Sequence, residues 1–117
     1  MEKIVEQGLL YDFYGELLTE HQRSVYEDAV YNDMSLAEIA EEYGISRQGV
    51  HDLIKRCNKL LAGYEEKLHL VEKFTEAKKT IARIETLAEE GKRMPEPVCR
   101  ECLDEIRALT AGLMENF

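Results

Sequence analysis

Apolar residues recur at helical intervals along almost the whole chain. Leu10, Phe13, Tyr14, Leu17 and Leu18 share one face, led by Ile4 and Val5, and predict an amphipathic helix over residues 4–18. Thr19 then offers a capping hydroxyl, with Gln22 at the third helical position to complete a capping box ahead of Val25, Tyr26, Ala29 and Val30. A second helix to about Tyr31 follows. After the polar break Asn32-Asp33-Met34, Ser35 and Glu38 repeat the same box and open a short helix from Leu36 to Tyr43. Gly44 ends it, because glycine takes the left-handed conformation at little steric cost. Ser46 caps the next helix almost at once.

From Arg47 the pattern runs without proline to Pro95, with Gly63 placed to kink or divide it near Ala62. Its second part sets Leu70, Phe74, Ala77, Ile81, Ile84 and Ala88 at alternating spacings of four and three, the seam of a coiled coil or helical hairpin. Gly91 reads as a helix terminus and Lys92–Pro97, with two prolines, as a loop. A last helix starts near Pro97, and its stripe of Val98, Cys102, Ile106, Leu109 and Leu113 has the period to pack antiparallel on the long helix, within the chain or across a dimer. No strand pattern or internal repeat interrupts this order. The expectation is an all-α fold in two segments of one continuous structural unit, residues 1–62 and 63–117.

Residues 36–55 carry the most specific signal. With Leu36 as the first position of a helix-turn-helix, Ile39 and Ala40 fall fourth and fifth, Gly44 and Ile45 ninth and tenth, Val50 fifteenth and Leu53 eighteenth. Ala40 has to be small where the helices cross, Gly44 makes the turn, and Ile39, Ile45, Val50 and Leu53 face the shared core. Ser46, Arg47, Gln48, His51, Asp52 and Lys55 then lie on the outer face or the leading end of the second helix, where such motifs meet a major groove. Arg47 and Gln48 could reach base edges, Lys55, Arg56 and Lys59 could meet phosphates, and Ser46 could donate to a phosphate oxygen. The plainer alternative is a scaffold hairpin, its cations solvated or paired to nearby carboxylates.

Charge changes that picture. The 117-residue chain carries a formal charge of -9, which opposes general attraction to phosphate. Residues 1–45 hold 11 acids against 2 bases and residues 61–117 hold 12 against 9, whereas residues 46–60 hold 4 bases against 1 acid, so of these three segments only the one with the start of the motif's second helix is net basic. A composition 44% hydrophobic and 33% charged suits a helix-rich globular domain. Apolar runs are far shorter than the ~20 residues of a membrane span, and the acidic start MEKIVEQG is not that of a signal peptide, so a cytoplasmic protein without membrane insertion is expected. Three cysteines, an odd count, fit free thiols in a reducing compartment.

Other chemistry is thin. Cys99 and Cys102 have CxxC spacing without a second pair, so core thiols are expected before a dithiol switch. His21 and His69 read as surface residues, and only His51 lies on the face expected to meet a partner. The six tyrosines at helical spacing read as core residues with wet hydroxyls rather than stacking platforms. With no glycine-rich phosphate loop, nucleophile elbow or metal signature, neither an enzyme nor a cofactor is expected.

The run LTEHQRSVYEDAVYNDMSLAEIAEEYGISRQGVHDLIKRCNKLL resembles region four of bacterial sigma factors, a helix-turn-helix without a wing. From LLYDFYGELLTEHQ through GISRQGVHDLIKRC to the heptad-bearing tail, the chain is similar to the YlxM family of small bacterial proteins. That resemblance implies a cytoplasmic regulator tied to the signal recognition particle pathway, with the particle's GTPase or its RNA as partner and no active site. From sigma region four it implies Arg47, Gln48 and Lys55 as contacts, while Gly49 and Asp52 depart from a good reading helix. Three functions follow for comparison: an accessory of the signal recognition particle, a dimeric DNA-binding regulator, and a homodimeric adaptor whose apolar stripes pack across a twofold.

Overall fold

The computed structural model describes residues 3–116, and among them there are helices and turns but no strand. The order is α1 (Lys3–Tyr14), a single 3-10 turn (Gly15–Leu17), α2 (Glu20–Val30), α3 (Leu36–Tyr43), α4 (Arg47–Leu68), α5 (Leu70–Arg93) and α6 (Val98–Asn116). The fold is all-α. It forms two compact units, residues 1–71 and 72–117.

The predicted caps are present. Thr19 Oγ1 accepts the Gln22 N–H while the Gln22 side chain accepts the Thr19 N–H, and Ser35 and Glu38 make the same reciprocal pair. Ser46 Oγ accepts the Gly49 N–H at 2.9 Å. Each hydroxyl satisfies a donor that the first helical turn leaves unpaired. Ser35→Ala and Ser46→Ala are each expected to lower stability by about 1 kcal/mol in urea unfolding.

The first unit has two adjoining cores. Tyr14, Leu18, Tyr26, Cys57, Leu61 and Val71 form one, and Val25, Ile39, Ala40 and Val50 form the other, with Leu53 and Ile54 packed against both. Helix α4 is therefore the spine on which α1, α2 and α3 pack.

The structure corrects the expected helix limits. The first helix stops at Tyr14, short of residue 18, and gives way to the 3-10 turn. Gly63 does not divide the long helix; α4 runs through it to Leu68 and is capped by His69, which is left-handed at φ 57°. The cause lies far away in sequence. Tyr14 Oη accepts the Leu70 N–H at 3.1 Å, and Glu65 Oε1 accepts both the Val71 N–H at 2.9 Å and the Tyr14 hydroxyl at 2.6 Å. Two opening donors of α5 are thus held by side chains, which makes a break at His69 favourable without glycine or proline.

In the second unit α5 and α6 run antiparallel, with Arg83 3.4 Å from Glu105. Gly91 does not end α5 but lies within it, facing α6, where a Cβ would make an ordinary van der Waals contact with Cys102 Cβ at 3.5 Å. The expected α5 seam is rotated. Leu70, Phe74, Ile81 and Ala88 are exposed, and the less accessible positions are Ala77, Thr80, Ile84, Leu87 and Gly91. On α6 the stripe is Cys99, Cys102, Ile106, Leu109 and Leu113, with Val98 exposed in place of Cys99. Cys99 and Cys102 are only half-buried, so they are not core thiols; the buried thiol is Cys57.

Candidate nucleic-acid interface

The turn between α3 and α4 is closed by backbone alone. Gly44 sits at φ 67°, ψ 33° and donates its N–H to the Ala40 carbonyl, which also accepts the Ile45 N–H at 3.1 Å. A side chain at a left-handed position carries a steric penalty that glycine avoids. Ile39 and Val50 are fully buried on either side of the turn and Ala40 nearly so, which locks the angle between the two helices. Ile45 departs from expectation: it is 36% exposed and joins neither core. Its N–H closes the turn one residue before the Ser46 cap, and that leaves its side chain at the rim.

Helix α4 presents the candidate residues outward. Ser46, Arg47, Gln48, His51, Lys55, Arg56 and Lys59 are all exposed, while Val50, Cys57 and Leu61 on the opposite face are buried. Gln48, Lys55 and Lys59 share the outermost rows, and His51 flanks them. Arg56 lies round the helix on the far side of those rows. Ser46 caps the helix, and its hydroxyl hydrogen stays available to a phosphate oxygen because the Gly49 bond uses only a lone pair. None of Arg47, Lys55, Arg56 and Lys59 makes an ion pair with a carboxylate among the described residues. That removes the paired form of the scaffold alternative and leaves its solvated form, so their exposure is compatible with either reading.

One arrangement was not foreseen. Gln48 Nε2 donates to Asp52 Oδ1 at 2.9 Å, and His51 Nδ1 stands 3.6 Å from the same oxygen. Asp52, which by itself repels phosphate, holds the side chain best suited to an adenine edge. The bond uses one of the two amide hydrogens of Gln48, so its second N–H and its Oε1 remain free while Asp52 fixes the direction of the side chain.

The tyrosines were expected to have wet hydroxyls, but five are tied to neighbours. Tyr11 donates to Glu27 at 2.6 Å, Tyr14 to Glu65 at 2.6 Å, Tyr31 to Asp12 at 3.1 Å, Tyr43 to Asp28 at 2.7 Å and Tyr26 to Asn58 at 2.5 Å. Part of the acidity of residues 1–45 therefore serves as internal acceptors. Burial pushes Tyr26 up to about 12, and the Asp28 hydrogen bond followed by burial does the same for Tyr43. Burial, then the bonds to Glu65 and Asp12, raises Tyr14 and Tyr31. Unfolded tyrosines ionise near pH 10, so this stabilisation is complete below pH 10 and is lost as pH climbs through about 12. Unfolding in that alkaline window is the expected result, with tyrosinate absorbance and helical circular dichroism changing together.

No metal-binding cluster of histidine, cysteine and carboxylate occurs among the described residues, and no described helix is long and apolar enough to cross a membrane. Residues 1–98 match the family described as UPF0122, helix-turn-helix protein, YlxM / p13 like. UPF0122 proteins of Bacillus cereus (strain AH187), Bacillus anthracis (strain A0248) and Bacillus thuringiensis subsp. konkukian are each 44% identical over 96 residues, covering 82% of this chain and 87% of the relative.

Proposed function

The chain belongs to the UPF0122 family of YlxM / p13 like helix-turn-helix proteins, and from that premise we propose that it is a non-enzymatic, cytoplasmic regulatory accessory of the signal recognition particle pathway that engages the particle's RNA or GTPase through α4. The observation that carries this reading is the set of exposed cations Arg47, Lys55 and Lys59 on α4, without an ion pair among the described residues, on a net-acidic unit. A local basic helix on a -9 chain suits one structured partner better than general binding to DNA. The fold alone does not choose the ligand, since the same hairpin serves many functions. Ser46, Arg47, Gln48, His51, Lys55, Arg56 and Lys59 are the proposed contacts.

Binding should be measured with purified particle RNA, with the purified GTPase and with the assembled particle at moderate salt. Micromolar or tighter binding to at least one supports the reading, and no binding to any of them defeats it. A second reading, a dimeric DNA-binding regulator, draws on the exposed apolar residues Leu70 and Ile81 of α5, at 41% and 51% exposure, which a second copy could cover. Sedimentation as a monomer, or genomic selection that enriches no motif, would remove it.

A further inference from the structure

Beyond the reading face, α4 carries a second surface. Arg56, Lys59, Leu60, Gly63, Tyr64 and Lys67 line an open groove of about 340 Å³ that runs along the carboxyl-terminal half of the helix. At 1.5 Å per residue, the span from Arg56 to Lys67 is roughly 16 Å, three helical turns. Its floor is apolar: Leu60 is 37% exposed and Tyr64 is half-buried, its ring 6.1 Å from that of Tyr14. Nothing lies within 4 Å of a Cβ built on Gly63, so the middle of the groove is open. Arg56, Lys59 and Lys67 stand along it exposed, without an ion pair among the described residues, although residues 1–71 carry 14 carboxylates to 7 cations. This unit has many acids and sends none of them to these three cations.

We propose that this groove is the docking site for an acidic amphipathic helix of a protein partner, with the partner's apolar row over Leu60, Gly63 and Tyr64 and its carboxylates against Arg56, Lys59 and Lys67. The match is one of length, polarity and charge. A three-turn groove accepts the i, i+3, i+7 anchors of a docked helix, and a glycine at its centre lets two helix backbones approach closely. Salt bridges at such a rim set orientation and association rate, while the apolar floor supplies affinity. A nucleic-acid strand fits less well, because phosphates gain nothing from Leu60 and the floor offers few polar groups to a base edge. The proposal does not rest on the reading of the preceding section; it shares Arg56 and Lys59 with that face but not Leu60, Gly63, Tyr64 or Lys67.

The test uses the full chain, isotope-labelled, and a designed 16-residue helical peptide with leucines at i, i+3 and i+7 flanked by glutamates. Expected are amide shifts confined to residues 56–67, no binding of the same peptide with lysines in place of glutamates, and at least tenfold weaker binding to K59E/K67E. Gly63→Gln separates docking from folding. It replaces a mid-helix glycine in open space, so it should raise the melting temperature while it blocks the groove and weakens the peptide at least tenfold. Arg47→Ala with Lys55→Ala should leave the peptide unaffected, so that failure of the groove and failure of the α4 reading face are told apart. Absence of shifts at Leu60 and Gly63, or equal binding of the lysine peptide, would each overturn the proposal.

Discussion

Replacing Tyr14 with alanine is expected to cost about 4 kcal/mol, a large share of the roughly 5–15 kcal/mol that holds a typical domain folded. The ring is 1% exposed and packs in the core with Leu18, Tyr26, Cys57 and Leu61, so truncation leaves a large cavity. The hydroxyl adds a separate contribution, since it donates to Glu65 and accepts from the Leu70 N–H. Tyr14→Phe isolates that part and should cost about 1–2 kcal/mol, the ring remaining in place. Urea unfolding gives both values, and hydrogen exchange at the Leu70 amide supplies the local check. If Tyr14→Phe exchanges at Leu70 no faster than the parent, the hydroxyl does not hold the start of α5.

The second large effect concerns the interface. Arg47→Ala combined with Lys55→Ala should weaken binding to the particle RNA by about a hundredfold at low salt, the sum of two contacts worth about 1–3 kcal/mol each. Both side chains are exposed and distant from the two cores, so the melting temperature should hold. The dependence of log affinity on log salt should also flatten by roughly one for each phosphate contact removed. Anisotropy titrations at several salt concentrations measure both quantities. An unchanged affinity for the RNA would move the interface off this face, and an unchanged salt slope would mean that neither residue meets a phosphate.

The parts of the fold that were legible in the sequence are those specified within a few residues. Thr19 with Gln22, Ser35 with Glu38 and Ser46 announce three helix starts because each cap acts over three positions. Gly44 announces the turn for the same reason, and the spacing of Ile39, Ala40 and Val50 then places every outward residue of α4. What could not be read depends on distant partners. The break at His69 is set by Tyr14 and Glu65, so local reasoning chose Gly63, the only helix-weakening residue nearby. On α5 two rows compete, and the one that includes Thr80, Leu87 and Gly91 is the less accessible, with Gly91 against Cys102, a choice that depends on where α6 lies and not on α5 alone. On α6 no such ambiguity exists, and four of the five expected stripe positions, Cys102, Ile106, Leu109 and Leu113, stand where the period put them. At the candidate interface the exposure of each residue followed from the motif, whereas the hold of Asp52 on Gln48 required coordinates.

The tyrosine hydrogen bonds also bear on the order in which the molecule assembles. Tyr43–Asp28, Tyr11–Glu27 and Tyr31–Asp12 join residues 15 to 19 apart along the chain, while Tyr14 reaches Glu65 across 51 residues and Leu70 across 56. Closing a loop three times longer costs about 1 kcal/mol more in chain entropy. The short-range bonds can therefore gather α1, α2 and α3 early, and the junction at His69 sets only when the far end of α4 comes home against Tyr14. Nascent chains still lacking residues 60–71 would then hold a partly knit bundle whose final clasp is missing, the form in which the protein first emerges during synthesis.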